Sequence, residues 1–288
     1  MLRAENARNE VRDLHKLKRF NFENCVQENT SFTGSPFAQV KERESYLKDM
    51  RTMLDFKILP QPTETTCGPT CLHGVYQFFE DDVSLPSIIE DIRHLEDGGT
   101  LAVNLGCDAL KRGYRAKIYT YNVDMFDPTW FQEPASELPK FVEAQKRAKK
   151  NKKLHLASDA YLEYLRLGGE ILFEDLTPRL LRRYLEKGVP ILTGLSATYL
   201  YKSAREIGAT NLSDSVAGEP AGHFVVIAGI DREKKCLLVA DPFHANPFAT
   251  GNYYWVEIHR VISSILLGIL TYDANLLIIE PGQKKTTQ

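Results

Sequence analysis

Cys67 stands in the stretch QPTETTCGPTC, between a polar turn and an apolar run. A thiol attacks an acyl carbon as its thiolate, and a free cysteine is mostly protonated at neutral pH. The unpaired N–H groups of a helix N-terminus favour the anion, and so does a neighbouring imidazolium. Leu72, Val75, Tyr76 and Phe79 follow at helical spacing, so the segment from Gly68 to Glu80 reads as a helix buried along one stripe. Pro69 is acceptable in its first turn. Cys67 therefore falls at a helix start, where an attacking thiol gains most.

Such a nucleophile needs a base, a group that orients the base, and donors for an oxyanion. The chain holds seven histidines. His73 shares the helix with Cys67, but it is turned about 240° away and lies about 9 Å along the axis, out of reach. His15, His94 and His155 sit in charged or helical surroundings with no evident partner. His223 differs, because it opens the apolar strand HFVVIAGI and so sits at the rim of a sheet.

The polar run DREKK (231–235) separates that strand from CLLVAD, which ends at Asp241. The midpoint between 223 and 241 is residue 232, inside the run. An antiparallel hairpin there would set Asp241 opposite, or nearly opposite, His223. A carboxylate bonded to one ring nitrogen fixes the tautomer that presents the other to the thiol. His244, three residues after Asp241, reads as a loop histidine. Gln61 precedes Cys67 by six residues, and its amide beside the backbone N–H of Cys67 would make a two-donor oxyanion hole.

The other thiols read as packing groups. Cys71 lies one turn beyond Cys67 among apolar neighbours, and Cys25, Cys107 and Cys236 have no polar constellation around them. Five cysteines in 288 residues argue against a disulfide framework. Cys67 and Cys71 make a poor zinc site without a second Cys or His cluster, so neither a metal nor a cofactor is expected.

The elements that must position these groups follow from local punctuation. A second helix is expected from Thr100, as N-cap, to about Arg112, closed by Gly113 and followed by the strand YRAKIYTY. A third starts at Thr177-Pro178, stops at Gly188 and leads into the strand PILTGLS. HFVVIAGI, CLLVAD, YYWVEI and NLLIIE make the last third strand-rich. Helices first and strands last indicate an α+β protein, with a helical half carrying the cysteine and an antiparallel sheet carrying the histidine and aspartate.

Residues 1–50, rich in Arg, Lys, Glu and Asn, read as an N-terminal extension, which leaves 51–288 as the main domain. That domain holds a basic helical insertion near 130–170, where KFVEAQKRAKKNKK (140–153) sets seven Lys or Arg against one Glu. Such a run reads as a solvated helical surface. Net charge is only −2, from 36 basic and 38 acidic residues, which gives no overall bias toward nucleic acid or membrane. The amino terminus lacks an apolar h-region and VISSILLGILTY is too short and polar to span a bilayer, so a cytoplasmic protein is expected.

Gln-x5-Cys-Gly at a helix start, a distant Gly-His opening an apolar strand, and Ala-Asp-Pro closing the next resemble the papain-like cysteine peptidases. Within that fold the chain looks most like the C39-like peptidase family, relatives of the leader-cleaving domains of bacteriocin exporters. The resemblance runs from about Leu54 to Glu280. It implies a papain-like fold, a peptide or protein substrate, and Cys67 as nucleophile, His223 as base, Asp241 as orienting residue and Gln61 as oxyanion donor. Cys67 is followed by Gly-Pro-Thr-Cys where papain-type surroundings have Cys-Gly-Ser-Cys-Trp, and no Gly-x4-Gly-Lys-[Ser/Thr] loop of an exporter ATPase occurs.

Two other readings share these residues. An amide transferase or isopeptidase would pass the same acyl group to an amine. An inactive binding module would be expected to have lost the cysteine or the histidine. A serine hydrolase is disfavoured, since Gly194-Leu195-Ser196-Ala197-Thr198 lacks the last glycine of a nucleophile elbow.

Overall fold

The computed structural model describes residues 50–95, 98–208, 210 and 212–282. The extension expected over 1–50, with His15 and Cys25, lies outside these residues except for Met50. From Arg51 onward the chain forms one compact unit.

The strands are β1 (Arg51–Met53), β2 (Arg115–Thr120), β3 (Glu170–Leu172), β4 (Ile191–Ser196), β5 (Glu206–Ile207), β6 (Leu212–Ser213), β7 (Gly222–Asp231), β8 (Cys236–Ala240), β9 (Tyr253–Glu257) and β10 (Asn275–Glu280). The helices are α1 (Cys67–Phe78), α2 (Leu85–Asp91), α3 (Ala102–Lys111), α4 (Leu138–Ala148), α5 (Lys152–Arg166), α6 (Pro178–Leu185), α7 (Ala197–Tyr201) and α8 (Ile258–Leu267). The architecture is α+β. Eight strands form one sheet in the order β3-β2-β10-β4-β7-β8-β9, with β1 alongside β7, while β5 and β6 make a separate hairpin. Pairing is antiparallel except between β2 and β3.

Strand β7 shows why the sheet sits where it does. Its side chains alternate between two apolar environments, as the two-residue period of a strand requires. Phe224 and Val226 enter a core with Cys71, Leu72, Tyr76 and Leu105, on the side of α1 and α3. Val225 and Ile227 enter a second core with Leu181, Val239, Val261 and Ile265, on the side of α6 and α8. A strand buried on both faces reads as a continuous apolar run, which is what HFVVIAGI is.

The helices begin close to where the sequence places them. Thr177 caps α6 by accepting from the Leu180 N–H at 3.2 Å. Thr100 does not cap α3, whose N-cap is Leu101. Its hydroxyl donates instead to the Arg93 carbonyl at 2.8 Å and accepts from the Asn104 amide, pinning the preceding loop. The basic run is split: α4 ends at Ala148 and α5 begins at Lys152, where Asn151 accepts from the Leu154 N–H at 3.0 Å. Among the described residues no helix is long and apolar enough to cross a membrane.

Candidate active site

The loop before α1 folds on its own threonines. The Thr63 N–H donates to Thr66 Oγ1 at 3.0 Å, and that hydroxyl donates back to the Thr63 carbonyl at 2.9 Å. With its hydroxyl so used, Thr66 caps no helical N–H, and the helix starts at Cys67 itself. The N–H groups of Cys67 and Gly68 have no carbonyl a turn earlier to bond, and Pro69 carries none. Donors and dipole thus meet at the thiol. Gly68 permits this closeness, because a Cβ there would lie 2.8 Å from Thr100 Cγ2 and 3.3 Å from Phe224 Cδ2.

The imidazole beside the thiol comes from the sheet. His223 is 8% exposed, and its Nε2 shares a 2.8 Å hydrogen bond with Asp241 Oδ1. The carboxylate is fully buried and closely held. Oδ1 also accepts from the Phe243 N–H at 2.8 Å, while Oδ2 accepts from the Tyr201 hydroxyl at 2.6 Å and from that of Tyr254. The rings of Tyr201 and Phe243 flank the imidazole, with centroids 6.2 and 6.3 Å away.

With Nε2 committed to the carboxylate, Nδ1 is the ring nitrogen left for the thiol. Burial works against the charged imidazole, but the Asp241 carboxylate and a hydrogen bond with Cys67 outweigh it and push the His223 pKa up to about 10. Burial likewise disfavours the Asp241 anion, yet His223 and the two tyrosine hydroxyls hold it below its ordinary value. Cys71 contrasts with this. It is fully buried, its Sγ donates to the Phe224 carbonyl at 3.3 Å, and burial, with the nearby Cys67 and Asp241, keeps its thiol protonated well beyond the usual range.

Gln61 is tied to the same region by its backbone, since its N–H donates to the Pro242 carbonyl at 2.9 Å, next to Asp241. Its side chain turns back on its own loop. Nε2 donates to the Thr63 carbonyl at 3.0 Å, and Oε1 is buried without a partner. The structure thus brings Cys67, His223 and Asp241 together and holds the Gln61 amide beside the loop that presents the thiol. His73, His94, His155 and His244 take no part in this group; His155, for instance, bonds the Lys149 carbonyl.

A cleft of about 460 Å³ opens at the thiol. Cys67 and His223 line it together with Lys152, Lys153, Leu156 and Asp273, so the basic run reaches the cleft through the first turn of α5. Among the described residues no cluster of three or more His, Cys, Asp or Glu could hold a metal ion. Sequence reasoning missed Tyr201, Tyr254 and Asp273. The strand YYWVE could have supplied one tyrosine, but nothing in spacing points to the other or to an aspartate before the last strand.

Residues 158–263 match the model of the Peptidase_C39 like family. The chain resembles the C39-like peptidases. The segment that matches this C39-like model carries His223 and Asp241, while Cys67 and Gln61 precede it. Solved structures with similarity to the chain include xylellain, a cysteine protease from Xylella fastidiosa, at 14% identity over 89% of this chain and 93% of that one, with a TM-score of 0.42. A double glycine motif protease from an AMS/PCAT transporter, in complex with the leader peptide, is 15% identical over 80% of this chain and 94% of that one, with a TM-score of 0.38. The peptidase domain of Streptococcus ComA, a bi-functional ABC transporter, is 14% identical over 78% and 98%, with a TM-score of 0.37. No curated protein sequence matches the chain.

Proposed function

We propose that the protein is a cysteine peptidase-type hydrolase that cleaves a peptide or amide bond through Cys67, His223 and Asp241, with residues 51–288 as the catalytic unit and 1–50 as an extension to it. One observation carries the reading. A buried imidazole, held by a four-times hydrogen-bonded carboxylate, shares a cleft with a thiol at a helix start.

In this mechanism His223 already holds, as an imidazolium, the proton that Cys67 gives up, and Asp241 stabilises that imidazolium without taking the proton itself. The thiolate attacks the carbonyl carbon, and the carbonyl electron pair moves to oxygen. That oxyanion is met by the Cys67 N–H and by the Gln61 amide, which leaves the Thr63 carbonyl to reach it. The imidazolium then protonates the departing amine as the C–N bond breaks, leaving a thioester on Cys67. Water attacks the thioester, giving one proton to His223, and the thiol leaves as the carboxylic acid forms.

The test is intact-mass kinetics with a small cysteine-directed electrophile, run on the native chain, His223→Ala and Cys67→Ala beside hydrolysis of a peptide mixture. The expected result is one fast adduct at neutral pH that needs both residues, and hydrolysis that disappears with either. Equal labelling of Cys67 in the native chain and in His223→Ala would overturn the assignment.

A further inference from the structure

Asp273 is an aspartate that the proposed mechanism does not use. It follows the 3-10 turn Gly268–Thr271 and precedes β10, and it lines the cleft together with Cys67 and His223. It is only 6% exposed, yet its Oδ1 is buried and accepts no hydrogen bond. A buried carboxylate oxygen without a donor costs free energy, so a fold retains one where something else supplies the donor. The obvious donor nearby is Lys153 of α5, but its ammonium lies over the Tyr272 ring, 4.6 Å from the centroid, and makes no hydrogen bond to Asp273 among the described residues. Burial pushes the Asp273 carboxyl up to about 7, with the charge of Lys153 and the nearby Thr271 side chain working the other way, so the group is poised to ionise when a cation arrives.

We propose that Asp273 is the substrate-anchoring residue of the cleft, its carboxylate accepting a hydrogen bond from a primary ammonium of the substrate. This rests on the peptidase reading above. The ammonium is either the amino terminus of a short peptide or a lysine side chain, which present the same chemistry. A substrate amine supplies both the missing donor and the counter-charge, and the charge-assisted bond it forms is the stronger for being buried. Asparagine at this position would keep size and hydrogen bonding but lose the charge, which makes it the informative substitution.

The experiment follows Cys67 alkylation by intact mass with four peptide chloromethyl ketones. Gly-Gly with a free amino terminus is compared with its N-acetyl form, and acetyl-Gly-Lys with acetyl-Gly-norleucine. In the native chain one amine-bearing reagent is expected to react at least about tenfold faster than its neutral counterpart, the size of effect usual for a hydrogen bond to a charged group. Which pair shows the preference distinguishes the amino terminus from the lysine side chain. Asp273→Asn is expected to erase the preference, with the fold and the thiol of the variant checked by its denaturant midpoint and by alkylation with a small neutral electrophile. Absence of any amine preference, or its survival in Asp273→Asn, overturns the anchoring role alone. Failure of all four reagents to label Cys67 overturns the peptidase reading and this one with it.

Discussion

Asp241 directly follows β8, and continuing the Val226↔Ala240 register by one residue sets it across from Val225, so that it reaches His223 diagonally, two residues along the same face, at 2.8 Å. Near the turn the pairing runs Asp231↔Cys236, Ile230↔Leu237 and Gly229↔Leu238, then shifts by one residue to Ile227↔Val239 and Val226↔Ala240. Carried on without the shift, the first register would set Asp241 opposite Val226. Facing residues share a face, so the carboxylate would then point away from His223. The bulge between Ile227 and Gly229 restores the parity that joins the pair.

That bulge is packed against β1. The Leu54 N–H donates to the Ala228 carbonyl at 2.9 Å, and a Cβ on Gly229 would lie 2.7 Å from the Thr52 carbonyl oxygen and 3.2 Å from Leu238 Cβ. Gly229→Ala must therefore push β1 off the strand or shift the bulge. We expect a loss of about 1–3 kcal/mol in stability, the usual cost of overpacking, together with a fall in turnover. Denaturant unfolding and peptide hydrolysis on the same sample check both. An unchanged midpoint would mean that β1 yields freely at this point.

The pH dependence follows from the directions of the two shifts. His223 is raised from about 6.5 to about 10, so its stabilisation is complete below the lower value and disappears as pH rises through the upper one. Asp241 is lowered, so its stabilisation is present above the ordinary carboxylate range and is lost as pH falls through its depressed pKa. The difference in Tm between the native chain and His223→Gln should shrink from pH 7 to pH 10. The ring proton signals of His223 should titrate far above those of an exposed histidine, and Asp241→Asn should bring the midpoint down. A His223 midpoint near 6.5 in the native chain would contradict the strength assigned to the pair.

Much of this site was legible in the sequence for a physical reason. A cysteine at a helix start and a histidine at a strand start are both marked by local punctuation, and a hairpin turn of charged residues brings distant numbers together. The hairpin midpoint put Asp241 near His223, but no local pattern announces a bulge, so the diagonal contact and its dependence on Gly229 were hidden. Tyr201 and Tyr254 meet Asp241 only through the packing of α7 and β9, which the chain's own periodicity does not encode. The basic run was read as one solvated surface, whereas the break at Asn151 sends its last two lysines to the cleft.

The tyrosines give a prediction of their own. Each donates to Asp241 Oδ2, and removing one leaves a fully buried carboxylate short of a hydrogen bond. Tyr254→Phe and Tyr201→Phe should each cost about 1–3 kcal/mol in stability, and more when combined, because the two share one acceptor. Activity should decline less than in Asp241→Ala, since His223 keeps its partner on Oδ1. Chemical denaturation with a double-mutant cycle measures this, and strict additivity would indicate that the two hydroxyls act on separate groups.

Gln61 offers a sharper separation. Its Nε2 now bonds the Thr63 carbonyl, so it serves as an oxyanion donor only if it exchanges that partner when substrate binds. Gln61→Ala should slow hydrolysis by about 10²–10³-fold, the loss of one such donor, and leave Cys67 alkylation by a small neutral electrophile nearly unchanged. A parallel fall in both would assign Gln61 to holding the 61–66 loop instead.

The lysines of the 140–153 run should divide along the break between α4 and α5. Lys149 bonds the Gln145 side chain on the α4 side, whereas Lys152 and Lys153 line the cleft. Lys149→Gln with Lys150→Gln should leave both KM and kcat within a small factor of native. Lys153→Gln should raise KM for peptides with an acidic side chain near the scissile bond and lower it for cationic ones, because it removes a positive charge from the binding surface. Added salt should compress both differences, since screening at physiological ionic strength limits such fields to about 8 Å. Steady-state kinetics on a matched acidic and lysine-bearing peptide pair at two salt concentrations tests this, and equal effects on both peptides would show that Lys153 acts through the structure of α5 and not through its charge.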